Sequence, residues 1–257
     1  MKVWYMNGAG NDFMVLDARG QKMDFASMAQ ELCKLTGADG FMAVDHSEIG
    51  DFKLHFYNSD GSRGEMCGNG SRCICRFAYD SGIAGESMAV ETDAGMVYGQ
   101  RLAENRYRVQ MNLPSVLDFQ RKAQAAYVEL GNPGLPHAVQ EYSGDLWADA
   151  DSLRPVMQQL RFDPAFPKGA NVNFYTPIDL DTVRILTFER GVEDFTLACG
   201  TGSCATAYTL WAQGKLPTGK LTVLNRGGAL TVTIQGKEQV EAIFLEGLAE
   251  TEKIYEL

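Results

Sequence analysis

The chain has 257 residues and a formal net charge of −10, from 33 acidic and 23 basic side chains. Hydrophobic residues make up 45%, which is enough to fill substantial cores and excludes a disordered chain. With this acidic balance and no Lys/Arg run to track phosphates, a nucleic-acid footprint is excluded, and no apolar run reaches the roughly 18 residues of a membrane span.

The opening, Met1 to Phe13, has no continuous apolar stretch of the signal-peptide kind. The expectation is a cytoplasmic protein whose six cysteines are reduced. Met14 to Leu16 is the first clear strand signal, and Ala26 to Leu35 predicts an amphipathic helix stopped at Thr36-Gly37. Phe52 to Tyr57 predicts a strand, followed by an apolar, buried helix over Ser71 to Tyr79 with Gly82 as its stop. Met88 to Thr92 and Tyr107 to Met111 predict strands, the second alternating as a half-buried antiparallel strand does. A polar link near Pro114 to Ala125 is the expected domain boundary. Beyond it, Val183 to Phe188, Leu221 to Leu224 and Ala229 to Ile234 predict strands, and Ser203 to Ala212 a second apolar helix ending before Gly214.

These elements repeat. Cys67-Gly68-Asn69-Gly70-Ser71 is answered by Cys199-Gly200-Thr201-Gly202-Ser203 at an offset of 132 residues (199 − 67). Leu54 and Leu186, Phe56 and Phe188, and Gly82 and Gly214 hold the same offset. The expected fold class is α+β, with two pseudo-symmetric halves. In each half a mostly antiparallel, barrel-like sheet wraps a central helix, the economical way to hide a helix that is apolar on most sides. Residues 1–117 form the half carrying Cys67, joined by a returning tail, 248–257, and residues 118–247 form the half carrying Cys199.

A helix N-terminus offers unpaired N–H groups and a positive dipole end, and glycines let an anion approach the backbone. Both cysteine loops therefore suit a carboxylate held on main-chain donors, with a neighbouring thiol favoured as thiolate. Two such thiols match the inversion of a stereocentre, which needs a base on one face of a carbon and an acid on the other. No lysine motif calls for pyridoxal phosphate, so no cofactor is expected. The plainer reading of Cys33, Cys73, Cys75 and Cys204 is core packing. The spacings C-x5-C-x-C and C-x4-C lack the paired C-x2-C of a zinc ribbon, so no metal ligand is assigned. A Cys67–Cys199 disulfide would be an oxidised resting form, and ordinary helix-entry turns are the bland alternative for the glycine loops.

The chain resembles the diaminopimelate epimerase family, over nearly its whole length. The resemblance rests on Gly8 to Phe13, Gly37 to Gly40, Tyr57 to Ser62 with Met66 to Arg72, Gly169 to Phe174, and Glu189-Arg190-Gly191 with Ala198 to Gly202. It implies a cofactor-independent isomerase of two similar halves with the active-site cleft between them, a homodimer that interconverts the small amino-acid substrates LL- and meso-diaminopimelate for lysine and peptidoglycan precursors. It implies Cys67 as proton donor and Cys199 as acceptor in one direction. Gly68, Asn69, Gly200 and Thr201 would hold the reacting end, with Asn11 lining that pocket. Asn58, Asn171, Glu189 and Arg190 would read the substrate's far amino-acid end, while His137 and Glu189 would tune the thiols. Two positions depart from the family pattern. Leu135 stands where many members have Asn, and Phe195 replaces a carboxylate near the second cysteine loop, so both are expected to make the pocket less polar. They leave open a racemase for histidine or another bulky amino acid, or an epimerase for a sulfur-bridged analogue. A non-catalytic thiol or metal-binding protein is the rival of another class.

Overall fold

The computed structural model describes residues 1–64 and 67–256; Glu65, Met66, which opens the first cysteine block, and Leu257, which closes the tail, lie outside the described residues. The chain forms two compact units, Met1–Gln110 with Glu246–Leu257, and Met111–Leu245.

The first unit is built from β1 (Lys2–Gly8), β2 (Asn11–Asp17), α1 (Phe25–Thr36), β3 (Gly40–Asp45), β4 (Phe52–Asn58), α2 (Gly68–Asp80), β5 (Ser87–Thr92), β6 (Gly95–Arg101) and β7 (Arg106–Met111). Most neighbouring strands are antiparallel, including β1 with β2 and β5 with β6. Two pairs are parallel, β2 with β3 and β4 with β5, and a helix connects each pair as parallel pairing requires. Helix α1 starts at Asp24, whose carboxylate accepts the Ser27 N–H at 3.2 Å, and stops at Gly37 in the left-handed conformation (φ 79°). It lays Ala29, Leu32 and Cys33 on a core with Val3, Leu16 and Phe41. Helix α2 packs on β1, β2, β3 and β6, with Phe77 edge-on to Trp4 at 5.1 Å.

The second unit repeats the plan with β8 (Pro114–Lys122), β9 (Ala125–Leu130), β10 (Leu135–Glu141), α3 (Ala150–Arg161), β11 (Asn171–Pro177), β12 (Thr182–Glu189), β13 (Asp194–Thr196), α4 (Gly200–Ala212), β14 (Lys220–Asn225) and β15 (Gly228–Gly236). Again two pairs are parallel, β10 with β11 across α3 and β12 with β14 across α4. The strand β16 (Val240–Leu248) then leads to β17 (Glu250–Glu256), which pairs antiparallel with β1 in the first unit.

The helix ends match in detail. The Ile83 N–H donates to Ala78 O at 2.8 Å and the Lys215 N–H to Leu210 O at 2.9 Å, while Gly82 and Gly214 both take positive φ. These are six-to-one bonds of the Schellman type, in which glycine carries the left-handed residue at no steric cost.

The structure departs from the sequence reading in three places. The polar stretch at 114–125 is a hairpin, with Leu117 opposite Val128 and Lys122 opposite Ala125; its polarity reflects a partly solvated strand rather than a linker. Helix α3 was not anticipated, because Pro155 interrupts its pattern. Yet Ala150, Leu153, Met157 and Leu160 form a buried stripe packed with Phe166, Phe174 and Phe188. Finally, both central helices begin earlier than expected, at Gly68 and Gly200, so the Cys-Gly-x-Gly segments are the first helical turn itself.

The α3 stripe has a measurable cost. Met157 is fully buried and Val156, beside it, is half exposed. Met157→Ala is expected to lower unfolding free energy by about 2–5 kcal/mol in urea titrations. Val156→Ala should stay within about 0.5 kcal/mol; equal effects would show that α3 does not bury this face.

Candidate active site

Cys67 and Cys199 occupy equivalent places, each the extended residue immediately before a buried helix (φ −126°, ψ 121° and φ −120°, ψ 109°). Their carbonyls accept the first helical bonds, from Ser71 N–H at 2.7 Å and Ser203 N–H at 2.9 Å. All six cysteines are thiols. Cys67 is half-buried and Cys199 buried. The Gly202 N–H donates to Cys199 Sγ at 3.3 Å, and Thr201 Oγ1 lies 3.5 Å from the same sulfur. A donor aimed at sulfur favours its anionic form.

In the first unit the cysteine turn is fixed by a directed hydrogen-bond chain. Arg72, fully buried on α2, donates through Nη1 to Gly68 O at 3.1 Å and through Nη2 to Asn69 Oδ1 at 3.0 Å. Because a guanidinium only donates, it sets the Asn69 amide. Asn69 Nδ2 then donates to Asn11 Oδ1 at 2.7 Å, and Asn11 Nδ2 to Asp39 Oδ2 at 3.2 Å. Asp39 also accepts the Asp12 N–H at 2.9 Å. Gly8 lets β1 lie against the turn, since a Cβ there would come within 2.8 Å of Asn69 O and 2.9 Å of Cys73 Sγ. Asn58 is exposed at the end of β4, where its amide donates to Ser62 Oγ at 2.9 Å. The next residue, Ser59, donates its N–H to Asp39 O at 3.2 Å, which ties that turn to the same carboxylate residue.

In the second unit, strand alternation sorts the residues. Ala138, Val172 and Phe188 face the α3 core. Their neighbours His137, Asn171, Asn173, Thr187 and Glu189 therefore share the opposite face, against which α4 packs through β10 and β11. His137 is fully buried and its pKa is pulled down to about 3, by burial first and then by the Arg190 charge, so the ring is neutral. Burial holds the Glu189 carboxyl above its usual range, opposed by a bond from Thr196 Oγ1 to Oε2 at 3.0 Å. Asn171 Oδ1 accepts the Arg190 N–H at 2.8 Å, and Arg190 Nη1 donates to Lys168 O at 3.1 Å. Glu189 and Arg190, successive on a strand end, do not pair with each other.

The diaminopimelate epimerase profile matches residues 3–117 and 127–251. A diaminopimelate epimerase of Aquifex aeolicus is 36% identical over 96% of this chain and 94% of its own length. One of Archaeoglobus fulgidus is 34% identical over 89% of this chain and 88% of its own. The chain belongs to the diaminopimelate epimerase family. Two solved structures share the fold at low identity. A PhzF-family phenazine biosynthesis protein of Bacillus anthracis has TM-score 0.75 and 16% identity, covering 100% of this chain and 98% of that one. A probable proline racemase of Agrobacterium radiobacter has TM-score 0.69 and 17% identity, covering 100% and 92%.

In the structure the two departures from the diaminopimelate epimerase pattern fare differently. Phe195 pairs in register with Phe188, and the rings meet edge-on at 5.8 Å. The Arg154 guanidinium lies 4.6 Å from the Phe195 ring centre. Phe195 thus faces the α3 core, away from Thr196 and Glu189, and does not make the cysteine face less polar; the expectation failed because it lacked the hairpin register. Leu135 opens β10 on the same face as His137, while Asn132 is exposed in the preceding turn. Sequence reasoning passed over Arg72, Asp39 and Asn173. Arg72 sits inside a helix read as apolar, and the other two show their role only through their partners.

Burial raises the pKa values of Cys33 to about 11 and of Cys73 and Cys75 to about 12. Alkylation of native protein at about pH 8 is therefore expected to reach Cys67 before these three, read by peptide mass spectrometry; early labelling of Cys73 or Cys75 would refute the assignment. The lowered His137 value means that unfolding takes up a proton between about 3 and 6.5. Its contribution to stability therefore rises with pH across that window. Raised Glu189 gives the opposite slope above 4.5. His137→Gln should make the acid limb of a stability–pH curve shallower than in the parent, and an unchanged limb would show that His137 titrates normally.

Proposed function

We propose that this chain is an amino-acid epimerase that inverts an α-carbon by thiol acid–base chemistry, without pyridoxal phosphate. Its substrate is LL-diaminopimelate, converted to the meso form for lysine and peptidoglycan precursors. The reading is carried by one observation: in each unit a cysteine stands at the start of the central buried helix, in equivalent backbone geometry. One thiolate removes the α-proton while the other thiol delivers a proton to the opposite face, and the roles exchange when the reaction runs backwards. The main-chain donors of Gly68-Asn69 and Gly200-Thr201, with Asn11, hold the reacting carboxylate and stabilise the carbanion-like transition state. Asn58, Asn171, Glu189 and Arg190 bind the second amino-acid end, where a carboxylate and an ammonium call for a cation and an acid. His137 and Glu189 tune the thiols. The protein works as a cytoplasmic homodimer. Among the described residues no helix is long and apolar enough to cross a membrane.

A racemase of another amino acid is the second reading, favoured by Leu135 on the His137 face. Phe195, turned to the core, no longer supports it.

The test is α-hydrogen exchange in deuterated water with reductant, followed by NMR for LL-diaminopimelate, L-histidine and L-glutamate. Exchange is expected with diaminopimelate, and exchange with another amino acid alone would displace the substrate assignment. Cys67→Ala and Cys199→Ala should each lower turnover by about 100-fold or more. Retained turnover in either variant would refute paired-thiol chemistry.

A further inference from the structure

We infer that Asn173 is the positioning residue of the second thiol, holding His137 as an Nε2–H donor while seating the helical turn whose Gly202 N–H rests on Cys199 sulfur. The inference deepens the proposed function and rests on Cys199 acting as acid or base.

Asn173 is fully buried on β11 and its amide is fully committed. Nδ2 donates toward two carbonyls, Asn171 O at 3.1 Å and Ala138 O at 3.3 Å, and lies 3.2 Å from His137 Nδ1. Oδ1 accepts the Thr187 hydroxyl at 3.0 Å. Turning the amide over would set its oxygen against two carbonyls, so the orientation is enforced. A carboxamide nitrogen only donates, so a proton on His137 Nδ1 would face a second donor at 3.2 Å, and the geometry favours Nδ1 as acceptor with the single proton of the neutral ring on Nε2. That nitrogen is buried and has no partner among the described residues. A buried donor in this condition is unfavourable until an acceptor arrives, which suits a site that receives an anion.

The second contact joins the histidine to the thiol. A Cβ at Gly202 would overlap Asn173 Oδ1 and approach Cys199 Sγ at 3.2 Å. The asparagine therefore packs directly on the glycine whose N–H reaches the sulfur. One side chain sets both the proton position on the imidazole and the seat of the donor on Cys199. Hydrogen bonds that fix a ring's tautomer in this way govern what the ring can do.

The test uses full-length, reduced, 15N-labelled protein. Long-range 1H–15N spectra are expected to show His137 with a protonated Nε2 and an unprotonated Nδ1. Asn173→Leu removes the donor and should shift the ring toward the Nδ1–H form. It should also lower kcat for α-proton exchange by about tenfold or more, with KM changed less than about twofold. Thr187→Val leaves Asn173 in place but releases its oxygen. It should move both readouts in the same direction by less, and it serves if Asn173→Leu does not fold. An Nδ1–H tautomer in the parent protein would overturn the inference, as would a folded Asn173→Leu with parental kcat and unchanged His137 signals. The tautomer is read without turnover, so it stands apart from paired-thiol chemistry, which Cys199→Ala tests.

Discussion

A helix that begins inside a protein leaves its first N–H groups in a region without water, and something must accept from them. Both central helices here begin that way, with Gly68 to Gly70 and Gly200 to Gly202 forming a first turn in which glycines flank a single side chain, Asn69 or Thr201. At Gly202 a larger residue could not stand, because the space is already taken by Asn173 and by the Cys199 sulfur. Starting a helix in this crowded interior thus dictates glycine at position 202. The neighbouring cysteine is tied into the arrangement, since the Gly202 N–H points at its sulfur.

The two units meet this requirement with different supports. In the first, a buried guanidinium drives a one-way chain from Arg72 through Asn69 and Asn11 to Asp39, running from a cation to a carboxylate. In the second, burial pushes His137 and Glu189 toward neutrality, and the Arg190 charge adds to the effect at His137. The repeat therefore conserves backbone geometry while surrounding each thiol with its own electrostatics.

Much of this architecture was legible in the chain. The constant offset of 132 residues located both central helices and their glycine stops, because helix burial and left-handed caps leave strong compositional marks. Strands declared themselves too, β4 by its aromatic residues, β7 by alternation and β12 by its β-branched residues. What escaped depended on pairing. The α3 stripe at 150, 153, 157 and 160 was written in the sequence but masked by Pro155. Phe195 was assigned to the wrong face because only its register opposite Phe188 shows which way it turns. Asn173, read alone, is one more asparagine; its importance lies in two carbonyls and a ring nitrogen contributed by β10 and β11.

The pairing of β17 with β1 makes the first unit discontinuous: its opening strand waits for a mate from residues 250–256. On a ribosome, where the chain emerges from its N-terminus, the second unit, a single run from Met111 to Leu245, is completed first. The edge of β1 stays open through that interval, which makes it the place where a nascent chain most needs protection from stray strand addition.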